Sequence, residues 1–164
     1  MGMAMKLRDY LNASAVPFEV LNHAHSSTSI QAAHASHVPA ERLAKAVVVE
    51  DDVHCIMAVL PASRRLRMDD MKACNGRAVR LATEAELKTL FSDCELGAVP
   101  PVGIAYRMET ILDDSLMSQP DIYFEAGDHE TLVHMKTRDF IDLMKGARHS
   151  SLSSPIEEGR GPLF

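Results

Sequence analysis

The feature that most limits how this chain can fold is a lysine inside its most apolar extended stretch, Leu43-Ala44-Lys45-Ala46-Val47-Val48-Val49. β-Branched residues in series favour a strand, and the acidic run Glu50-Asp51-Asp52 ends it in a turn. Val53-His54-Cys55-Ile56-Met57-Ala58-Val59-Leu60 follows at once and reads as its antiparallel partner. Strand side chains alternate between faces, so Lys45 shares its face with Val47 and Val49 and not with Ala46 and Val48. An ammonium among valines is costly unless it reaches water, an anion or a carboxylate. Two readings follow: a lysine that snorkels at the mouth of the strand, or a cation held at the rim of a pocket.

Composition narrows the class of protein. At 164 residues the chain is most simply one domain with a real core. A formal net charge of −6 argues against coating nucleic acid by bulk electrostatics, although a local basic patch stays open. Cys55, Cys74 and Cys94 are widely spaced and form no Cys-x-x-Cys pair. Neither a disulfide framework nor a zinc knuckle is expected, and a reducing cytoplasm fits best. Met1 to Lys6 has no long apolar run behind it, so no signal peptide is expected. Lys6 breaks the myristoylation pattern, and no stretch approaches a membrane span.

Periodicity places the other elements. Met5 to Ala13 predicts an amphipathic helix with Leu7, Tyr10 and Leu11 on one face, and Phe18 to Leu21 a short strand. Thr28-Ser29-Ile30-Gln31 predicts a capping box that opens a helix through Ala32, Ala33 and Ala35. Pro39 and Glu41-Arg42 turn into the Lys45 strand. Met68–Ala73 reads as a short helix, Asn75-Gly76 as a turn, 78–81 as a strand, and Thr83-Glu84-Ala85-Glu86 as a second capping box. Gly97-Ala98-Val99-Pro100-Pro101-Val102-Gly103 fits neither helix nor central strand, because the prolines remove donors and the glycines allow unusual angles. Strands are expected at 110–112, 121–126 and 131–135, with Gly127-Asp128 between the last two. Thr137 is expected to cap a last helix that stops at Gly146. From His149 to Phe164 the Ser-rich sequence has almost nothing to bury, so residues 1–148 are expected as the domain and 149–164 as a disordered tail. Strands joined by hairpins and interspersed with short helices argue for a mixed α+β domain.

Few residues carry obvious chemistry. His23, His25, His34 and His37 are clustered, but their spacing suits surface or capping roles better than a convergent zinc set. There is no Gly-x-Ser-x-Gly elbow, phosphate loop or dinucleotide fingerprint. Asp51-Asp52, Asp69-Asp70 and Asp113-Asp114 are better explained by turns and helix starts than by acid–base work. What remains is Lys45, the Gly97–Pro101 loop and Gly127-Asp128-His129. A glycine before a rigid proline loop can offer backbone N–H groups to a carbonyl or oxyanion, and a nearby lysine complements negative charge. The residues themselves support an α+β domain with a candidate anion pocket.

The order and spacing of these three features resemble the YbaK family of aminoacyl-tRNA deacylases, which includes the editing domain inserted in bacterial prolyl-tRNA synthetases. The resemblance runs over roughly residues 5–146. Its carriers are Thr28 with Ala32-Ala33, Ala44-Lys45 before Val47–Val49, Gly97 to Gly103, Ala126-Gly127-Asp128-His129 and Asp139-Phe140. The resemblance implies a mixed, mostly antiparallel and barrel-like sheet surrounded by short helices. It implies that Lys45 contacts the adenosine end or ester, that the Gly97 backbone engages the aminoacyl carbonyl, and that His129 assists. Ala46, Ala98, Pro100, Pro101 and Gly127 are implied as further substrate contacts.

The implied reaction is hydrolysis of the ester joining a wrong amino acid to tRNA, with no metal or other cofactor. In some members the ribose hydroxyl of the tRNA helps the attacking water. Partners implied are the acceptor end of aminoacyl-tRNA and a synthetase, acting in trans in the cytoplasm and without a membrane. Ala46 stands where some alanine-specific members have a polar residue, which leaves the amino acid open. The basic run Arg64, Arg65, Arg67, Lys72, Arg77 and Arg80 can meet an acceptor stem or form a solvated face. A binding module of the same fold that holds charged tRNA, and a small-molecule or regulatory protein, are the alternatives.

Overall fold

A computed structural model describes residues 2–156. Its centre is the expected hairpin: β2 (Leu43–Glu50) pairs antiparallel with β3 (Cys55–Pro61), which is buried along nearly its whole length. Asp51 forms the turn by accepting hydrogen bonds from the backbone N–H groups of Val53 and His54. The strands that flank this hairpin are β1 (Glu19–Asn22), β6 (Glu109–Asp113), β7 (Asp121–Glu125), β8 (Thr131–Lys136) and β9 (Arg148–Ser150). They assemble in the order β1-β8-β7-β2-β3-β6-β9. The β2–β7, β3–β6 and β6–β9 pairs are parallel and the rest antiparallel, so the domain is mixed α+β.

The alternation of β2 sorts its side chains between different layers. Ala44 and Val48 join the main core with Met57, Phe124 and Phe140, covered by α1 (Met5–Ser14) and α5 (Thr137–Leu143). On the other face, Leu43 packs with Ala32 and Ala33 of α2 (Ser29–Ser36), whereas Val49 packs with Leu60 and with Met71 of α3 (Met68–Asn75). Lys45 lies on this second face, in the seam between two apolar clusters.

Two local expectations shift. Thr28 caps α2 by accepting from the Gln31 N–H, but the Gln31 side chain reaches back to the N–H of Ser27 and not to that of Thr28. Thr137 is the first helical residue of α5 and not its cap; its hydroxyl donates to the Gln119 carbonyl. The second capping box forms as expected, with Thr83 and Glu86 opening α4 (Glu84–Leu90).

The expected tail is the larger correction. His149 lies in β9 beside β6, and β10 (Ser153–Pro155) pairs with β4 (Arg64–Leu66). Between them Leu152 is fully buried, its N–H donating to Asp113 and its carbonyl accepting from Arg67. Arg64 adds hydrogen bonds to the hydroxyl and carbonyl of Ser153. Two three-residue polar strands around one leucine carry no periodic signal, which is why the sequence reads as a tail. The remainder of that expected tail, 157–164, lies outside the described residues. Leu152→Ala should therefore cost about 2–5 kcal/mol, as for other buried leucines, read as a lower urea midpoint at unchanged m-value. A disordered tail would leave the midpoint where it is.

Candidate functional site

The sheet has a break along β2. On the side away from β3, β7 pairs with it only at Leu43–Ala44, and β5 (Arg80–Leu81) only at Val49–Glu50. Between these two partners Lys45 to Val48 has no strand neighbour on that side among the described residues. A cavity of about 350 Å³ occupies the break, lined by Ala44–Val48, Ser27–Ile30, Leu81, Ala82, Leu87, Gly97, Val99 and Glu125. Leu43 accepts from Ala62 on the β3 side, and Val48 accepts from Ala82 on the other. Since backbone groups of successive residues point to opposite edges, the N–H and C=O of Ala46 face the break. The N-terminal turn of α2 borders the same space, with its partial positive charge.

Lys45 lines this cavity. Burial lowers its pKa from 10.5 to about 8, and no carboxylate acts to raise it again. At neutral pH it carries a charge, and among the described residues no carboxylate pairs with it. That is the state expected of a group whose partner arrives with a ligand.

Gly97 lines the cavity with backbone, having nothing else to offer. Its φ is +82°, and a Cβ built there would lie 3.0 Å from the Ser27 carbonyl oxygen and 3.1 Å from Cε1 of His129. His129 itself is buried and does not line the cavity. Its Nε2–H donates to the Leu96 carbonyl, and its own carbonyl accepts from Ser26 at 3.2 Å. The histidine buttresses the glycine from behind.

Ala46 lines the cavity, but Ala98, Pro100, Pro101 and Gly127 do not. All four are buried behind it and shape the loop instead. The Ala98 N–H donates to the Glu95 carbonyl, and the Gly127 carbonyl accepts from Glu95. Gly127 has a φ of +118°, and a Cβ there would come within 2.9 Å of Ala4.

Two residues with the character of a site were missed. Glu125 ends β7, lines the cavity and has a side chain only 5 % exposed. Burial first, and then the charges of Asp128 and Glu95, raise its pKa to about 8. His23, expected on the surface, has a side chain 1 % exposed and places Nε2 3.2 Å from a Glu125 oxygen. Its Nδ1–H donates to the Ala24 carbonyl at 2.7 Å. The signal was register: Leu43 pairs with Tyr123 and Ala44 with Phe124, so Glu125 and Lys45 are the first residues beyond the paired stretch, and both line the cavity.

The other candidates have structural work. His25 sits beside Glu95, and His37 closes α2 in a left-handed conformation. Among the described residues no three His, Cys, Asp or Glu side chains converge as metal ligands. Arg64, Arg67 and Arg80 of the basic run face Asp113, Asp70 and Glu50. Cys94 is half-buried beside Tyr106, and desolvation pushes its thiol up to about 12, the opposite of an activated nucleophile. Among the described residues no helix is long and apolar enough to cross a membrane.

A family model for the aminoacyl-tRNA editing domain matches residues 23–143. No curated protein sequence matches significantly. A crystal structure of a hypothetical protein superposes with a TM-score of 0.82 at 25 % identity, covering 91 % of this chain and 99 % of that one. A candidate trans-editing enzyme for prolyl tRNA synthetase gives 0.81 at 22 % identity, over 92 % of this chain and 96 % of the other. The same fold also covers 31 % of a longer protein from Marinobacter aquaeolei, described as acting in signal transduction, with a TM-score of 0.75 at 16 % identity over 93 % of this chain.

Proposed function

The chain belongs to the aminoacyl-tRNA editing domain family, and on that premise we propose that it hydrolyses the ester of mischarged aminoacyl-tRNA, acting in trans. The observation that carries the proposal is the break in the sheet, where an uncompensated cation and a side-chain-free backbone meet one cavity. In this reading the terminal adenosine and its aminoacyl group enter along the open edge of β2. Lys45 and the Gly97 backbone stabilise the oxygen that turns negative as water adds to the carbonyl carbon. The carbon–oxygen bond to the ribose then breaks, and the ribose hydroxyl leaves with a proton. Ala46 and Val99 are the apolar surface against which the amino-acid side chain is measured.

A panel of tRNAs mischarged with small and cyclic amino acids, scored for amino acid released, tests this. Release of one class well above the buffer rate is the expected result. Binding of charged tRNA without release would make the protein a holding module instead.

His129 is a positioning residue here, acting through Leu96 and Gly97. His129→Ala should lower turnover by less than about 100-fold, which is where losses of true acid–base groups begin. Complete loss of turnover, with the fold intact and tRNA still bound, would give the histidine a direct part in the chemistry.

A further inference from the structure

Side-chain polar atoms that are buried yet lack a hydrogen-bond partner belong, among the described residues, to His23, Ser26, Ser36, Glu125 and His129. All but Ser36 lie on two segments that run side by side. The His23 N–H donates to the Glu130 carbonyl, and the Ser26 N–H donates to that of His129. Glu125 is the extreme case, since both its carboxylate oxygens are unpartnered while it lines the cavity. A buried carboxyl in that state rests mainly protonated and ionises only when something supplies a donor, preferably a charged one.

Among the described residues no side chain is aligned to supply it. The one ion-pair neighbour of Glu125 among the described residues is His23, which is 3.2 Å away but out of hydrogen-bond alignment. Because the Nδ1–H of His23 is committed to Ala24, a neutral ring would turn a bare lone pair towards the carboxylate. Asp128, held by the Glu130 and Thr131 N–H groups and the Thr131 hydroxyl, places a negative charge behind it. The surroundings therefore call for a cation and not merely a neutral donor. The cavity thus sets a cation, Lys45, and an acid that can ionise against an incoming cation, Glu125, side by side.

Resting on the deacylase reading, we propose that Glu125 is the receptor for the α-ammonium of the aminoacyl group, with His23 as its positioning partner. Amine and carbonyl are borne on adjacent carbons of the substrate, so a carboxylate for one and a cation with a glycine backbone for the other fit a single bound group. The amino-acid side chain is then left to the apolar wall of Ala46 and Val99.

The test compares two non-hydrolysable mimics of the tRNA terminus, 3′-alanylamido- and 3′-propionylamido-3′-deoxyadenosine, which differ only in the amine. The wild-type protein should bind the alanyl form about 10- to 100-fold more tightly, the range of a charge-assisted hydrogen bond. In Glu125→Gln, which keeps the shape but cannot ionise, that preference should collapse to within about threefold. A role confined to fold stability would move melting without moving the preference. Equal affinity of the wild-type protein for both mimics, or binding of neither, overturns the proposal even where the tRNA panel is hydrolysed. An intact panel result with an overturned receptor leaves deacylation standing. A preference that depends on Glu125 beside an unhydrolysed panel removes deacylation and leaves the receptor.

Discussion

Lys45→Ala should lose about 10- to 100-fold in deacylation while gaining stability. A charge-assisted contact is worth roughly 1.5–3 kcal/mol, and if it strengthens as the carbonyl oxygen turns negative the whole amount appears in the rate. The gain has the opposite origin. Burial alone lowers the lysine from 10.5 to about 8, which penalises the charged form in the folded state. Below pH 8 that penalty is fully present; as pH rises from about 8 to 10.5 the folded lysine gives up its proton first and the penalty fades. At neutral pH its removal is worth on the order of 1–3 kcal/mol, reduced by whatever stem packing alanine forfeits. The wild-type rate, corrected for the uncatalysed reaction, should accordingly fall as pH rises through about 8. Melting temperature and single-turnover rate measured on the same preparation decide the matter. A destabilised but fully active variant would mean a snorkelling lysine and no site. Lys45→Arg should rescue little, because a planar guanidinium needs room that a pocket sized for ammonium lacks.

Gly97→Ala should be at least as damaging to activity, for reasons of backbone and not of charge. At φ +82° an alanine pays roughly 1–2 kcal/mol for the left-handed region. The new methyl would also press on the Ser27 carbonyl at 3.0 Å and on the His129 ring at 3.1 Å. The ring can yield only by giving up the Leu96 carbonyl, and Ser27 only by moving the start of α2, so the loop itself is expected to shift. A displacement of about 1 Å at a site that works by positioning costs on the order of 100-fold. The double variant Gly97→Ala/His129→Ala relieves one of the two contacts and should recover part of the rate. No recovery would mean that the loop does not lean on His129.

How much of this could be read beforehand depended on whether the information was local. The β2–β3 hairpin, the Thr83 capping box and the face on which Lys45 sits follow from alternation and spacing along one or two elements, and all are observed. The break in the sheet was not legible, because it arises from two strands that each pair with only two residues of β2. Without that register, Glu125 looks like the polar end of an alternating strand and His23 like a surface residue. The short C-terminal strands were missed for the same reason, with one buried leucine between serines. The glycine–proline loop was recognised as unusual, but its buried members shape the wall and only Gly97 and Val99 present it.

The most direct test of the cavity as the aminoacyl-ester site is a map of backbone amide shifts in the isotope-labelled protein titrated with 3′-alanylamido-3′-deoxyadenosine. Perturbations should centre on Ala46, Val48, Gly97, Val99 and the 27–30 turn, the groups that line the break, and should vanish in Gly97→Ala. Perturbations centred instead on Arg65, Lys72 and Arg77, with the β2 edge unmoved, would contradict it.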